Sequence, residues 1–225
     1  MIYSRSGVVI IACVALLGGL LVGGHMRAQS VPPAPSAEQQ KAEHEYSEML
    51  ARVQQGDMTV DFRAFRVAGA VKSGPLASSL EIAERAAFRN LAVSGDWMGA
   101  LASAKRALDR NYASPVAHYD AMLACQKLQQ ADEAFTHEKI LNALLDSILQ
   151  SGDGKSPETA WFVVTTQEEY VFLGRMGVVP KSQALVNKDG HAYDRVEVLD
   201  PRTKESHSVW FNTDMDMGLY KLPPQ

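Results

Sequence analysis

The stretch ILQSGDGKSPETAWFVVT, residues 148–165, separates two kinds of sequence and decides the fold class. Before it, apolar residues recur every three or four positions, and Leu141, Leu144 and Ile148 form the last of these helical stripes. Its first half is rich in glycine and serine and leads into a proline, which is typical of a loop. Its second half, from Ala160 to Thr165, is a short apolar run typical of a buried strand. The sequence therefore predicts an α+β protein in which helical hairpins pack on a small, mostly antiparallel sheet.

Upstream of this loop, residues 37–150 are predicted to form about six helices arranged as antiparallel hairpins. Residues 60–72 are assigned to one of them, although Val60-Asp61-Phe62-Arg63 also alternates in the manner of a strand. Side chains placed to cap a helix N terminus recur along the chain: Ser36, Ser78, Asp96, Ser114, Asp132 and, beyond the loop, Thr166. These positions set the expected starts of the helices.

The last of the six helices has an unusually broad apolar face. Besides the stripe that ends at Ile148, three further apolar residues widen it: Phe135, Ile140 and Leu149. A face of this width predicts burial on two sides. We therefore expect this helix to join the helical part to the sheet.

Downstream, residues 151–225 are predicted to form a small α+β region. Its helix runs from Thr166 to Gly177, and three strands follow as an antiparallel meander. The turns between the strands are Lys188-Asp189-Gly190 and Asp200-Pro201. The middle strand alternates imperfectly, so we expect one covered face and one face in water.

Composition and charge exclude several classes of protein. The chain has 225 residues, of which 46% are hydrophobic and 21% charged, which is typical of a globular protein. Its 22 basic and 26 acidic residues give a net charge of -4. Nucleic-acid binding needs clustered lysine and arginine to neutralise phosphates, so a nucleic-acid partner is not expected.

Residues 1–30 have the pattern of a secretory signal peptide. Arg5 precedes an uncharged stretch from Gly7 to Gly24, and the small residues Ala28 and Ser30 stand before the expected cleavage between Ser30 and Val31. An uncleaved N-terminal membrane anchor is the alternative. In both interpretations the rest of the chain is exported, so a periplasmic or secreted location is predicted. If the signal is cleaved, no membrane contact is expected.

Two consequences follow for the mature chain. Residues 31–36 contain three prolines and form an extended linker ahead of the first helix. Cys125 is the one cysteine that cleavage leaves, because Cys13 lies in the signal. An intramolecular disulfide is therefore excluded, and the fold must be held by its apolar core.

The segment Gly95-Asp96-Trp97, with Ala100 and Ala107-Leu108 after it, resembles a tetratricopeptide repeat. Ala134 follows Ala100 by one repeat period of 34 residues. The resemblance covers about residues 80–145. It implies a helical surface that holds a peptide or a partner helix, whereas plain helical hairpins are the structural alternative.

A second resemblance covers most of residues 45–215. The run from Gly152 to Val164, followed by Glu168-Glu169-Tyr170 and Leu173, is similar to the core of an uncharacterised family of exported bacterial proteins, a domain of unknown function. The helix containing Asp61-Phe62-Arg63-Ala64 also fits its layout. The resemblance implies export, a helical region and a small sheet that ends in an aromatic strand. It implies no activity, cofactor or catalytic residue.

The loop at 152–157 contains Gly154-Lys155-Ser156, which is part of a phosphate-binding pattern. The complete pattern requires a glycine five positions earlier, where this chain has Leu149, and a strand before the loop. We therefore interpret the loop as a turn into the strand. Asp153 and Asp189, each followed by a glycine, do not fit a calcium loop, because its first and twelfth positions would be apolar.

Two histidine arrangements are weaker candidates. Cys125 and His118 are seven residues apart on one helix, about 10 Å by the helical rise, which is beyond hydrogen-bond reach, although His137 of the next helix could approach. A buried structural cysteine is the favoured interpretation.

On the strands, His191 and His207 could meet, with Asp194 or Glu205 completing a metal site. Solvent-exposed strand histidines are favoured instead, and no metal or cofactor is assigned. Four aromatic residues are interpreted as the core and rim of the sheet: Trp161, Phe162, Trp210 and Phe211.

The sequence as a whole favours a non-enzymatic binding or scaffold module that presents a helical groove to a protein or peptide partner. This prediction rests on the repeat-like helices and assigns no catalytic residue. The alternative is a hydrolase with a cleft between the helical part and the sheet, drawing on His191, His207, Asp153 or Cys125. These side chains would then have to converge in one pocket.

Overall fold

The computed structural model describes residues 34–74 and 77–220. The signal segment, the Ser30–Val31 bond and residues 31–33 of the linker lie outside the described residues. Six helices come first: α1 (Ala37–Gln54), α2 (Phe62–Ser73), α3 (Ala77–Ser94), α4 (Trp97–Arg110), α5 (Pro115–Lys127) and α6 (Ala131–Leu149). The sheet region follows: β1 (Trp161–Phe162), α7 (Thr166–Met176), β2 (Val179–Lys188), β3 (His191–Leu199) and β4 (Ser206–Asn212). The predicted α+β fold is confirmed.

Local capping explains where several helices begin. Ser36 and Gln39 form the predicted capping box at α1, and Asp96 accepts a hydrogen bond from the Gly99 amide at α4. At α5, whose first residue is a proline, the Ser114 side chain accepts a hydrogen bond from the Ala117 amide. Each bond satisfies an amide that has no partner within its own helix.

Three predicted caps are wrong. Ser78 lies inside α3, and its hydroxyl donates to Asp216 of the segment after β4 instead. Asp132 lies in the first turn of α6, where its charge favours the positive end of the helix dipole without capping it. Thr166 is the first residue of α7, and neither it nor Thr165 caps that helix. Asp132 lies two residues past the N-cap position at Gln130, and Thr166 lies one residue past the N-cap position at Thr165. The Ser78 hydroxyl is taken by its distant partner.

Residues 62–73 form a helix, which excludes the strand alternative for this segment. Asp61 caps α2 by accepting from the Ala64 amide. Phe65 and Ala68 then face the interior, where Phe65 stacks on Tyr46 of α1 with 5.1 Å between the ring centroids. Burial on one helical face decides between the two periodicities.

Helix α6 is buried on two sides, as predicted. Ile140 and Leu144 pack with residues of α1 and α2, while Leu145 and Ile148 belong to the cluster that contains Trp161 and the sheet. The predicted widening of this face is confirmed for Ile140 alone. Phe135 and Leu149 are 67% and 50% exposed, because both lie near the ends of α6 on its solvent side.

The sheet has the order β1-β4-β3-β2. The last three strands form the predicted antiparallel meander, while β1 pairs in parallel with β4 through Trp161 opposite Phe211. Asp189 and Gly190 both have positive φ, as the tight turn between β2 and β3 requires. On β3, Val196 and Val198 are buried and Arg195 and Glu197 are exposed, so one covered and one wet face are present.

Aromatic packing closes the core between α7 and the sheet. Trp161 lies edge-on to Phe172 of α7 at 4.9 Å and also contacts Phe211. Trp161, Phe162 and Phe211 are buried, and Trp210 is half-buried beside Arg195. The prediction that these aromatic residues form the core and rim of the sheet is confirmed.

Consecutive helices from α3 to α6 pack against each other, with Ala100 and Ala134 both buried. The tetratricopeptide resemblance itself stays a prediction. Among the helices of residues 34–74 and 77–220, none is both long enough and apolar enough to span a membrane.

Candidate functional site: a pocket lined by carboxylates

Cys125 does not form a dyad with a histidine. Its Sγ lies 3.6 Å from Glu133 Oε2, and burial raises the pKa of the thiol, with the Glu133 charge adding to the effect. His118 Nε2 donates to the Tyr112 carbonyl, so its unprotonated Nδ1 accepts from His137 Nδ1 at 3.0 Å. Because burial lowers the pKa of His118 to about 3, this histidine pair is neutral and structural. His137 does approach from the next helix, but it meets His118 rather than the cysteine.

His191 and His207 lie at opposite ends of the sheet. His207 pairs with Val198, seven residues along β3 from His191, which is roughly 23 Å at the rise of a strand. His191 contacts Asp214, with 2.5 Å between Nδ1 and Oδ2, and Asp194 bonds Gln183 instead. The strand histidines therefore do not share a metal site. No cluster of three metal-ligating side chains occurs in the part of the chain that the structure describes.

The glycine-rich loop is a tight turn on Trp161. The amides of Asp153 and Gly154 both donate to the Thr159 carbonyl, and the Trp161 indole donates to the Gly152 carbonyl. Asp153 accepts from Thr159 and pairs with Lys155. The loop amides are thus used within the protein and do not form a phosphate cradle.

The Gly152→Ala variant is expected to lose about 1–3 kcal/mol of unfolding free energy, because overpacking carries a cost of this size. A Cβ at position 152 would clash with the Thr159 carbonyl oxygen, so the loop backbone would have to move. Urea denaturation measures the loss. The control is Gly174→Ala in α7, where no atom lies within 4 Å and the variant should be neutral or slightly stabilising. Equal effects of the two substitutions would contradict this account.

A pocket of about 450 Å³ lies where α2, α3, α4, the start of α5 and the segment from β1 to α7 meet. It is the cleft between helices and sheet that the hydrolase alternative required, but His191, His207, Asp153 and Cys125 do not line it. Its charged lining residues are five acids and two bases: Glu43, Glu81, Glu84, Asp109, Glu168, Lys72 and Arg110. A volume of this size suits a small molecule or one side chain of a partner.

Glu168 is the most buried of these acids, at 1% exposure. Its Oε2 accepts from Arg66 Nη1 at 2.5 Å and from the Val164 amide at 2.9 Å. Arg66 is fully buried and also bonds Ser147 Oγ. Burial raises the pKa of Glu168 to about 7, against the opposing charge of Arg66. The carboxyl therefore titrates near neutral pH.

Glu81 faces the same pocket from α3. Its two oxygens accept from hydroxyl groups only, those of Ser114 and Thr165. Burial raises the pKa of Glu81, and the hydroxyl hydrogen bonds oppose the shift. Asp216, which bonds Ser78 and the Thr166 amide, adds further negative charge nearby.

The two cations of the pocket are already engaged. Arg110 pairs with Glu84, and Arg106 reaches the same carboxylate. Lys72 donates to the Arg110 carbonyl and lies 4.6 Å from the ring centroid of Tyr46. Neither Glu81 nor Glu168 is paired with a cation that lines the pocket.

A second acidic pair lies on the far side of α7. Glu169 is fully buried, and Gln183 Nε2 lies 2.5 Å from Asp194 Oδ2 and 3.4 Å from Glu169 Oε2. No donor among the described residues reaches Glu169 Oε1. Burial and the neighbouring Asp194 charge raise the pKa of Glu169 to about 10, so the group is neutral at physiological pH.

Sequence reasoning missed these residues. It placed Glu81 with Ser78, and Glu169 with Thr166, in capping boxes, and it cited Glu168 only for the family resemblance. Arg66 gave a usable signal, since it follows Phe62 by one helical turn and so lies on the buried face of α2. A charged residue on such a face requires a partner, but its identity depends on a contact 102 positions away.

A family model described as a domain of unknown function, DUF4919, matches residues 36–218. The matched segment includes both parts of the fold and every acid of the pocket. No curated protein and no solved structure matches the chain.

Proposed function

Since the chain belongs to the DUF4919 family, whose description carries no activity, we propose a function from its own geometry: an exported binding module for a peptide or protein partner. The observation that carries this proposal is the acid-lined pocket between the helices and the sheet segment. The partner would bind in this pocket rather than on the outer surface of the helices.

The arrangement of the pocket supports recognition. Its lining comes from α2, α3, α4 and α7 together, so the side chains are held by packed elements on several sides. Leu80 lines the pocket and is 46% exposed, which places an apolar contact within reach of a partner. A rigid apolar pocket with a few polar groups is the usual form of a binding site.

Selection from a displayed library of random peptides, followed by fluorescence anisotropy with the synthesised peptides, tests the proposal. A bound peptide should lose at least about tenfold in affinity in Leu80→Arg, equivalent to about 1.4 kcal/mol. Leu185→Arg is the matched control, because Leu185 is similarly exposed on β2, away from the pocket. If no peptide is selected, or if both variants behave alike, the proposal is wrong.

A hydrolase is the second candidate, and one observation favours it. Glu81 and Glu168 both have raised pKa values in one pocket, and a carboxyl that titrates near 7 can act as a general acid. Mass spectrometry of the selected peptides after incubation separates the two functions. Cleavage that Glu168→Gln abolishes supports a hydrolase, whereas intact peptides support the binding module.

Export is part of the proposal and has its own test. The N-terminal sequence of the protein purified from a periplasmic extract should begin at Val31 if the signal is cleaved after Ser30. Deletion of residues 7–24 should retain the protein in the cytoplasm. A protein that keeps Met1 and sediments with membranes would instead support the uncleaved anchor.

A further inference from the structure

We propose that the pocket binds an alkylammonium group, through the carboxylates of Glu81 and Glu168. This inference rests on the proposed binding function and specifies the chemistry of the ligand. Such a group is the end of a lysine side chain or of a free aliphatic amine.

The first observation is a carboxylate oxygen of Glu168 that no protein donor reaches. Glu168 is 1% exposed and lines the pocket, and both of its hydrogen bonds, from Arg66 and the Val164 amide, go to Oε2. No donor among the described residues reaches Oε1. This oxygen is therefore free to accept a hydrogen bond from a ligand N–H group that enters the pocket.

The second observation is that Glu81 has no ion-pair partner among the described residues. Its hydrogen bonds come from the neutral Ser114 and Thr165 hydroxyls, while Arg85 acts on it through charge alone and Asp216 opposes that effect. Lys72 and Arg110 are held by Tyr46 and Glu84. An anionic ligand would be repelled by the five acids of the pocket, whereas an ammonium group supplies three donors and the opposite charge.

The third observation is the apolar part of the pocket. Ala70, Leu80, Ala107 and Val164 line it alongside the acids. These side chains offer contacts for methylene groups, so the pocket accommodates an alkyl stem with a charged end. The volume of about 450 Å³ exceeds what a single metal ion would need and suits a group of this length.

Isothermal titration calorimetry of the exported chain tests the inference with defined probes. Butylammonium chloride and N-acetyl-lysine amide present the same cation, while N-acetyl-norleucine amide presents the same stem without charge. The two cations are expected to bind at least about tenfold more tightly than the neutral probe, equivalent to about 1.4 kcal/mol. Equal binding of the neutral probe, or no binding of either cation, overturns the inference.

The source of the amine follows from the same titrations. Tighter binding of N-acetyl-lysine amide points to a lysine in a peptide, whereas tighter binding of butylammonium points to a free amine. Both outcomes support an alkylammonium site. If selected peptides bind but neither cation competes with them, the binding module stands and this inference is wrong. If nothing binds at all, the proposed function itself fails.

Glu81→Gln should lower the affinity for both cations at least about tenfold. Glu45→Gln is the control, because it neutralises an acid on the exposed face of α1 and should leave both affinities unchanged. Thermal denaturation of each variant verifies that it is folded. Binding should also strengthen as the pH rises from 5 to 8 and should release protons, because the ligand requires ionised carboxylates. Arg66, Arg85 and Asp216 also influence these carboxyls, so the measured titration reports the whole group. Unchanged affinity in Glu81→Gln overturns the inference.

Discussion

Replacing Arg66 by methionine is expected to lower the free energy of unfolding by about 3–5 kcal/mol, the usual cost of leaving one buried charge without its partner. Arg66 and Glu168 are both buried and their side chains are 2.5 Å apart. The substitution removes the guanidinium bonds to Glu168, to Ser147 and to the Phe162 carbonyl, which link α2 to α6 and β1. Urea denaturation at pH 7.5 measures the loss.

Two further variants show whether the loss arises from the buried charge. Arg63→Met lies one turn away on the exposed side of α2 and should cost less than about 1 kcal/mol, as surface substitutions do. The double variant Arg66→Met with Glu168→Met should recover most of the stability, because no unpaired charge remains. The loss in Arg66→Met should also shrink as the pH falls below about 7, because Glu168 is then protonated in the folded protein and no buried carboxylate is left without a partner. A loss below about 1 kcal/mol at pH 7.5 would contradict the ion-pair account.

The fold was largely predictable because its determinants are local. The change of period at residues 151–157 separates helices from strands, and caps such as Asp96 and Ser114 act on amides three residues away. The errors arise where a distant contact outweighs a local signal. Ser78 fits a capping box in sequence, but its hydroxyl bonds Asp216, 138 residues away. Phe135 fits an apolar face, but it is exposed, and no element of the described residues covers it.

The candidate site was much less predictable, for the same physical reason. Glu81 meets Thr165, and Glu168 meets Arg66, across separations of 84 and 102 residues. Such pairs depend on how whole elements pack, and nothing in the neighbouring sequence specifies them. The histidines and the cysteine drew attention by residue type, yet packing distributes them between the helical core and the two ends of the sheet. The pocket is built from glutamates, which in sequence resemble an ordinary solvated surface.

Replacing Glu169 by glutamine is expected to stabilise the protein above neutral pH. Glu169 has a pKa raised to about 10 in the folded protein, whereas an unfolded glutamate ionises near its ordinary 4.5. Between these values the unfolded chain has released the proton and the folded chain has kept it. The free energy of unfolding therefore falls by about 1.4 kcal/mol for each pH unit above 4.5, and this penalty is on the order of 4 kcal/mol at pH 7.5.

Glutamine keeps the shape of the protonated acid and cannot ionise, so Glu169→Gln should remove this contribution to the pH dependence. Its amide can donate to Asp194, the neighbouring carboxyl that shares Gln183 with Glu169. Denaturation from pH 5 to pH 9 should show the variant and the wild type nearly equal at pH 5 and diverging steadily above it. The control Glu197→Gln changes an exposed acid on β3 and should follow the wild-type curve. The prediction is contradicted if the free energies of unfolding of Glu169→Gln and the wild type differ by the same amount at every pH. Such a result would mean that the pKa of Glu169 is the same in the folded and unfolded protein, so that the carboxyl is ionised in the fold at neutral pH.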